Sequence, residues 1–417
     1  MPIAVESPTF EDVATGVLSR LQFGLARLVA SSTSEIKKAG DVERAFGIDH
    51  RLGWQVFRLA NAKNPLAEGA NVPARVSMEK LLRMAEKRGV PGDVIDEVRV
   101  AFEDFERLVK QHAGTRQAFE TLMAGCIPER QLQIEREARE AMYHAARTLR
   151  GASTRVSMMT SIFYPTAGGT ETIDSCNIMG NYGVQRLRVG ALIETSALFR
   201  DLRGSRVSTV TGEPITESTD IMLPQFCSTP RPMLQVHRGV QSARYMLAGE
   251  SVGLQSAVDL VFADFLAAGR SRFATPERPL IGCAHATDTP AELQVVDVLM
   301  HEELVEQQRP EAAIYDMVPH GQLTKLPDPD REFDRVAHKP EARSLGRGPT
   351  AMRMIALPRY VEMIEYVCGQ RGWDINKLRA YRIEIEYPAH TWQVALTLRL
   401  PGPSASSSRG WPSQRLF

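Results

Sequence analysis

Cysteine is scarce in this sequence and scattered: Cys126, Cys176, Cys227, Cys283 and Cys368 form no CxxC pair and are odd in number. Such spacing argues against a disulfide framework and a cysteine-rich zinc site, and predicts reduced, mostly buried thiols. Charge of one sign is also lacking, since 50 Lys and Arg face 50 Asp and Glu. No global field therefore draws the chain to nucleic acid or membrane. No window approaches the roughly 20 apolar residues needed to cross a bilayer. The first residues, MPIAVESPTFEDVATG, lack the basic-then-apolar pattern of a secretory signal. A cytoplasmic protein without a membrane partner is expected.

Familiar catalytic signatures are missing as well. Ala167-Gly168-Gly169-Thr170 has neither the spacing nor the lysine of a phosphate-binding loop and reads as a turn. There is no GxSxG elbow, and the stretch His301-Glu302-Glu303-Leu304-Val305 carries valine where a zincin has its second histidine. Asp297, His301, Glu302 and Glu303 form the most concentrated polar cluster. Asp297 and His301 share a face on either a helix or a strand, where they would hold a divalent metal or, more simply, line a solvated end. Cys283 and His285 share a strand face too, allowing a thiol–imidazole pair, although a small buried cysteine is the commoner role. From these residues we expect no catalytic group, no metal and no cofactor.

What is present divides the chain in two. At 417 residues it is too long for one simple core. Residues 1–150 read as successive helices. Phe10, Val13, Val17, Leu21, Leu25 and Leu28 recur at three- and four-residue steps, as do Val94, Val98, Phe102, Phe105 and Leu108. After Gly151 the helical period gives way to short apolar runs and β-branched residues. Tyr381 to Tyr387 and Trp392 to Leu400 each alternate with period two around Pro388-Ala389-His390-Thr391, which predicts an antiparallel hairpin. Pro358 to Gly369 predicts a helix with Tyr360, Met363, Ile364 and Val367 inward. Leu326 to Gly348 reads as an extended loop, and residues 401–417 as a disordered tail. The expected class is α+β: an all-helical N-terminal domain, then a larger α+β domain over 151–400 with a mostly antiparallel sheet.

Val42 to Arg58, VERAFGIDHRLGWQVFR, holds the pattern richest in functional implication. Val42 and Phe46 lie on one helical face, Gly47 marks a reversal, Ile48 plugs it, and Asp49 caps a second helix buried through Leu52, Val56 and Phe57. This segment resembles the helix-turn-helix of bacterial transcription regulators, with two departures. Glu43 stands where a small residue is usual, and Gly53 where an aliphatic one is. The resemblance implies a second helix seated in a DNA major groove, with Arg51 and Gln55 at base edges, His50 and Arg58 beside them, and Lys37, Lys38 and Arg44 on phosphates. Between Ser34 and Gly92, eleven Lys and Arg stand against seven Asp and Glu, compatible with phosphate contacts. Double-stranded DNA, a homodimeric assembly and a small-molecule or protein effector are the partners so implied. Two other readings remain open: a protein-interaction protein whose helical region binds protein, and an enzyme using Asp297, His301, Cys283 and His285.

Overall fold

A computed structural model describes residues 9–32, 36–168, 171–199, 207–215, 221–238, 242–276, 278–304, 309–323, 326 and 328–402. The tail from 403 onward, expected to be disordered, lies outside them. The chain divides into two compact units, Met1–Glu137 and Ala138–Phe417. Among the described residues no helix is long and apolar enough to cross a membrane.

The first unit contains α1 (Phe10–Ala30), α2 (Ala39–Phe46), α3 (His50–Ala60), α4 (Arg75–Lys87), α5 (Gly92–His112) and α6 (Arg116–Gly125); α7 (Pro128–Arg150) runs through the division. Thr9 opens α1 with a capping box, its hydroxyl accepting from Asp12 N–H while the Asp12 carboxylate accepts from Thr9 N–H. The expected apolar stripe is buried through Val17, Leu21, Leu25 and Leu28. Gly24 lets α5 come close, because a Cβ there would lie 3.2 Å from Val98 Cγ2.

The helical hairpin of α2 and α3 forms as its turn residues dictate. Gly47 adopts φ 64°, and the Asp49 carboxylate accepts from Leu52 N–H at 3.0 Å. Val42, Phe46, Ile48, Leu52 and Val56 are buried. Both departures from the regulator pattern have one cause. A Cβ on Gly53 would stand 3.2 Å from Glu43 N and 3.3 Å from Ala39 O, so the helices touch backbone to backbone at α3. The small residue sits on the second helix, which frees position 43 for a long side chain.

Thirteen strands build the second unit among the described residues: β1 (Ala152–Pro165), β2 (Thr172–Arg186), β3 (Glu194–Phe199), β4 (Val207–Ser208), β5 (Leu234–Arg238), β6 (Ser242–Leu247), β7 (Val258–Ser271), β8 (Leu280–Ala286), β9 (Ala291–His301), β10 (Glu311–Asp316), β11 (Arg343–Arg347), β12 (Leu378–Glu386) and β13 (Trp392–Arg399). Short α8 (Pro349–Met352) and α9 (Tyr360–Arg371) accompany them. A seven-stranded sheet runs β11-β12-β9-β1-β2-β7-β4, and two three-stranded sheets run β10-β13-β8 and β3-β6-β5. Pairing is antiparallel except between β1 and β9, which run parallel from Thr154–Ala291 to Phe163–Met300. The α+β class and largely antiparallel sheet are as expected.

One face of the large sheet carries α9, with Met363, Ile364 and Val367 against Val156, Met158, Ile162 and Leu299. The other face meets the β10-β13-β8 sheet through Val296, Val298 and Ile383 against Val394, Leu396 and Leu398. Here the sequence expectation needs correction. β12 and β13 do not pair as a hairpin: β12 joins β9 and β11, while β13 joins β8 and β10. Their alternating apolar faces meet across the sandwich instead of side by side. The link leaves the first sheet at Tyr387, whose φ is 49°. The expected loop over 326–348 also contains an edge strand, β11, which the Arg343–Glu384 ion pair fastens to β12.

A buried ion pair locks these layers together. Arg382 on β12 donates to Asp297 on β9 through Nη2 at 2.7 Å and Nε at 2.9 Å. It also donates to the carbonyls of Met352 and Arg353 at 3.1 and 3.3 Å. Tyr360 OH donates to Asp297 at 2.5 Å and lies 3.0 Å from Thr160 Oγ1. Burial opposes the charge on Arg382, but hydrogen bonding and attraction from Asp297 prevail and raise its pKa. Asp297→Asn leaves that guanidinium without its counter-charge in the core and should cost about 3–5 kcal/mol in urea unfolding. Asp297→Leu with Arg382→Met should recover most of the loss. A single variant as stable as the parent would show that the pair does not hold the layers.

Candidate functional site: a groove between two helices

A concavity of the first unit runs between α1 and α5. It encloses about 860 Å³ and is lined by Ser19, Arg20, Gln22, Phe23 and Ala26 on one side and by Asp93, Asp96, Glu97, Val100, Ala101 and Asp104 on the other. Both sets repeat at three and four residues, so each helix presents one stripe. From Asp93 to Asp104 the wall extends roughly 16 Å, about three helical turns. Phe23 and Val100 stand 61% and 59% exposed on these walls. Large apolar side chains left in water on two adjacent helices mark a contact surface.

The rim is balanced in charge. Arg27 bonds Glu97 and reaches Asp93 at 3.5 Å, Arg99 meets Asp96 at 2.5 Å, and Asp104 takes Arg20 at 3.3 Å and Arg107 at 3.1 Å. Each rim carboxylate thus has a guanidinium from its own unit. The sequence did signal this site. Phe23 lies off the buried stripe of α1, and Val100 off that of α5, an apolar residue where each amphipathic helix should be polar.

The residues expected to meet DNA are arranged otherwise. Arg58 is bonded to Glu68 and lies 5.4 Å from the Trp54 ring centre. Arg44 is paired with Asp41 at 2.5 Å, and the main-chain N–H groups of Lys37 and Lys38 donate to the same carboxylate at 2.9 and 3.0 Å. His50 Nδ1 sits 3.2 Å from Glu43, Gln55 is half-buried, and Arg51 is exposed. Four of the basic residues of this stretch, Arg44, Arg58, Arg75 and Lys80, are thus paired with carboxylates of the same unit.

In the second unit, the candidate chemical groups lie inside the sandwich. Asp297 is buried in the ion pair above, neither solvated nor placed for a metal. His301 is buried against the Tyr164 ring, 4.4 Å between centres, and its Nδ1 accepts from Glu303 N–H. Cys283 and His285 do share a face of β8, yet they work apart. Burial pushes the Cys283 thiol up to about 12, which removes it as a nucleophile. His285 Nε2 lies 2.8 Å from Ser157 Oγ in a hydrogen bond whose direction the ring's tautomer sets, and burial drives its pKa down to about 4, so the ring is neutral at pH 7. Beside it Ser161 donates to Asn177, and Asn177 to Asp264, at 2.8 and 3.0 Å. These are satisfied core contacts. Among the described residues no group of three His, Cys, Asp or Glu is gathered to hold a metal.

No protein-family model and no curated protein matches the sequence. Solved structures with some likeness include an M1 zinc metallopeptidase from Deinococcus radiodurans, at 11% identity over 59% of this chain and 42% of that one, with a TM-score of 0.23. A two-domain M1 zinc metallopeptidase bound to L-tryptophan overlaps 63% of this chain and 51% of its own, at 10% identity and a TM-score of 0.23. This chain thus spans about half or less of the peptidases it overlaps. Likeness at that level carries no argument for fold or chemistry, and the peptidase activity is a property of those proteins. With Arg44 and Arg58 paired to Asp41 and Glu68, and the apolar faces of α2 and α3 buried in the helical core, the DNA-binding regulator expected from Val42–Arg58 is corrected to a packed helical hairpin.

The depressed pKa of His285 gives the sandwich a measurable pH response. Its folded value, about 4, is below the ordinary 6.5, so the unfolded chain binds the extra proton between those limits. Stability from this group is full above pH 6.5 and is lost as pH falls toward 4, on the order of 2 kcal/mol. Asp288 acts in the opposite sense, because loss of water around its carboxyl and the nearby Glu194 raise it to about 6. The comparison must therefore be made against His285→Gln, which keeps a partner for Ser157 without titrating. The stability difference between parent and variant should shrink from pH 7 to pH 4.5 in denaturant unfolding; a constant difference would refute the assignment.

Proposed function

We propose that this chain is a protein-interaction protein whose helical unit receives an amphipathic helix of another protein between α1 and α5. One observation carries the reading: Phe23 and Val100 flank a groove of about 860 Å³ whose two walls share the period and length of a third helix. Helix-in-groove recognition needs an apolar floor and anchors at i, i+3, i+4 and i+7 on the ligand. The rim selects among such helices. With its carboxylates already paired to Arg20, Arg27, Arg99 and Arg107, it favours a ligand of mixed charge over a strongly basic one. Binding would exchange existing ion pairs rather than bury an unpaired charge.

We also assign the protein to the cytoplasm. Five free cysteines, three of them buried, support a reducing compartment.

The test is selection of displayed helical peptides on the whole protein. Enriched sequences should carry apolar residues at helical spacing and both signs of charge, and should bind Val100→Asp and Phe23→Asp on the order of tenfold more weakly. Both positions are exposed, so unchanged helicity and melting temperature would accompany the loss. Absence of enrichment, or equal binding to both variants, would overturn the reading. So would a dimer of the parent dissolved by Phe23→Asp, because a second copy would then occupy the groove.

A further inference from the structure

The ion pairs around the groove between α1 and α5 balance in total, yet they are not evenly spread along it. The two helices run in opposite directions there, since Gly24 faces Val98, Arg27 reaches Asp93 and Glu97, and Arg20 reaches Asp104. The groove therefore has two distinct ends, one at Ala26 and Asp93 and the other at Ser19 and Asp104. At the first end two carboxylates, Asp93 and Glu97, share the single guanidinium of Arg27. At the second end two guanidiniums, Arg20 and Arg107, share the single carboxylate of Asp104. Between them Asp96 and Arg99 pair one to one. Exposed Glu103 is outside the lining residues. One end thus carries an excess of negative charge and the other an excess of positive charge, about three helical turns apart.

The backbone leaves this pattern undisturbed. The amino end of α5 and the carboxyl end of α1 meet at the Asp93 end, where their opposite macrodipoles offset each other, and Asp104 lies too far from either terminus to feel them. Side chains therefore set the field. Those that carry the excess can turn to a ligand: the Asp93 side chain is 72% exposed and 3.5 Å from Arg27, and those of Arg20 and Arg107 are each 63% exposed. A helix lying here places its basic residues at the Asp93 end and its acidic residues at Arg20 and Arg107. The charge order that suits a helix's own macrodipole is acidic in the first turn and basic in the last. A helix so ordered lays its carboxyl end at Asp93. Its terminal half-charges, roughly 0.5 of an elementary charge each, oppose that placement but yield to whole charges on side chains.

We propose that the partner of this groove is a helix with its charges sorted by end, acidic in the first turn and basic in the last, bound parallel to α1 with its basic turn at Asp93 and Glu97. This rests on the helix-in-groove reading above and adds to it the partner's charge order and direction.

Two synthetic peptides, equal in composition and in apolar anchors at i, i+3, i+4 and i+7, provide the test on the full chain. In one, Glu fills the first turn and Lys the last; in the other the same residues alternate along the polar face. Fluorescence anisotropy should show the sorted peptide bound on the order of tenfold more tightly, a margin that added salt reduces. A photo-crosslinking residue in its Lys-bearing turn should attach near Asp93, and one in its Glu-bearing turn near Arg20 and Asp104. Asp93→Asn and Arg20→Gln should each narrow the margin while the circular dichroism of the protein is unchanged, because both side chains are exposed. Equal binding of the two peptides, each weakened by Val100→Asp, or crosslinks in the reverse order, would overturn the charge order and direction while leaving the groove a helix receptor. Binding of neither peptide, or binding untouched by Val100→Asp, would remove the receptor itself and this inference with it.

Discussion

The second unit depends on one ion pair more than on any other contact. Asp297 and Arg382 sit on neighbouring strands of the seven-stranded sheet, and both are buried. A bare charge there would be prohibitive, so each must be satisfied completely. Arg382 uses its fork for the Asp297 carboxylate and its remaining donors for the carbonyls of Met352 and Arg353. Tyr360 closes the shell and brings the first turn of α9 onto the sheet. One pair thereby fixes a strand register, a loop and a helix. Such a pair contributes more to specificity of arrangement than to net stability.

That demand for complete satisfaction separates the interior of the sandwich from its surface. Inside, Ser157 meets His285, and Ser161, Asn177 and Asp264 form a chain of hydrogen bonds. The buried thiols are held far from ionisation. One surface stands in contrast to these contacts, the uncovered apolar pair Phe23 and Val100 in the helical unit.

Much of the fold was legible in local pattern. The stripes of α1 and α5, the reversal at Gly47, the cap at Asp49 and the inward side of α9 all follow from period and turn chemistry, which act within a few residues. Partnership was not legible in the same way. Alternation in β12 and β13 reveals that each strand has a buried face, but not whether its companion lies alongside or across the sandwich. Asp297 looked like a solvated or metal-binding group because its counter-charge, Arg382, is distant in the chain. Arg58 looked available because the carboxylate that engages it, Glu68, belongs to another element. The groove was half legible: Phe23 and Val100 broke the stripes, though only the structure sets those two breaks on facing walls.

The parallel pairing of β1 with β9 governs the order in which the sheet unit can be assembled. β1 emerges from the ribosome early, finds β2, the next strand in the chain, and then waits for Ala291–His301 before its other edge is covered. Through that interval a long strand bearing Val156, Met158, Ile162 and Phe163 has one unpaired edge, which invites pairing with a foreign strand. The nascent chain is therefore most vulnerable to aggregation between synthesis of β2 and release of β9. A chaperone that shields an exposed strand edge would have most to do in that window.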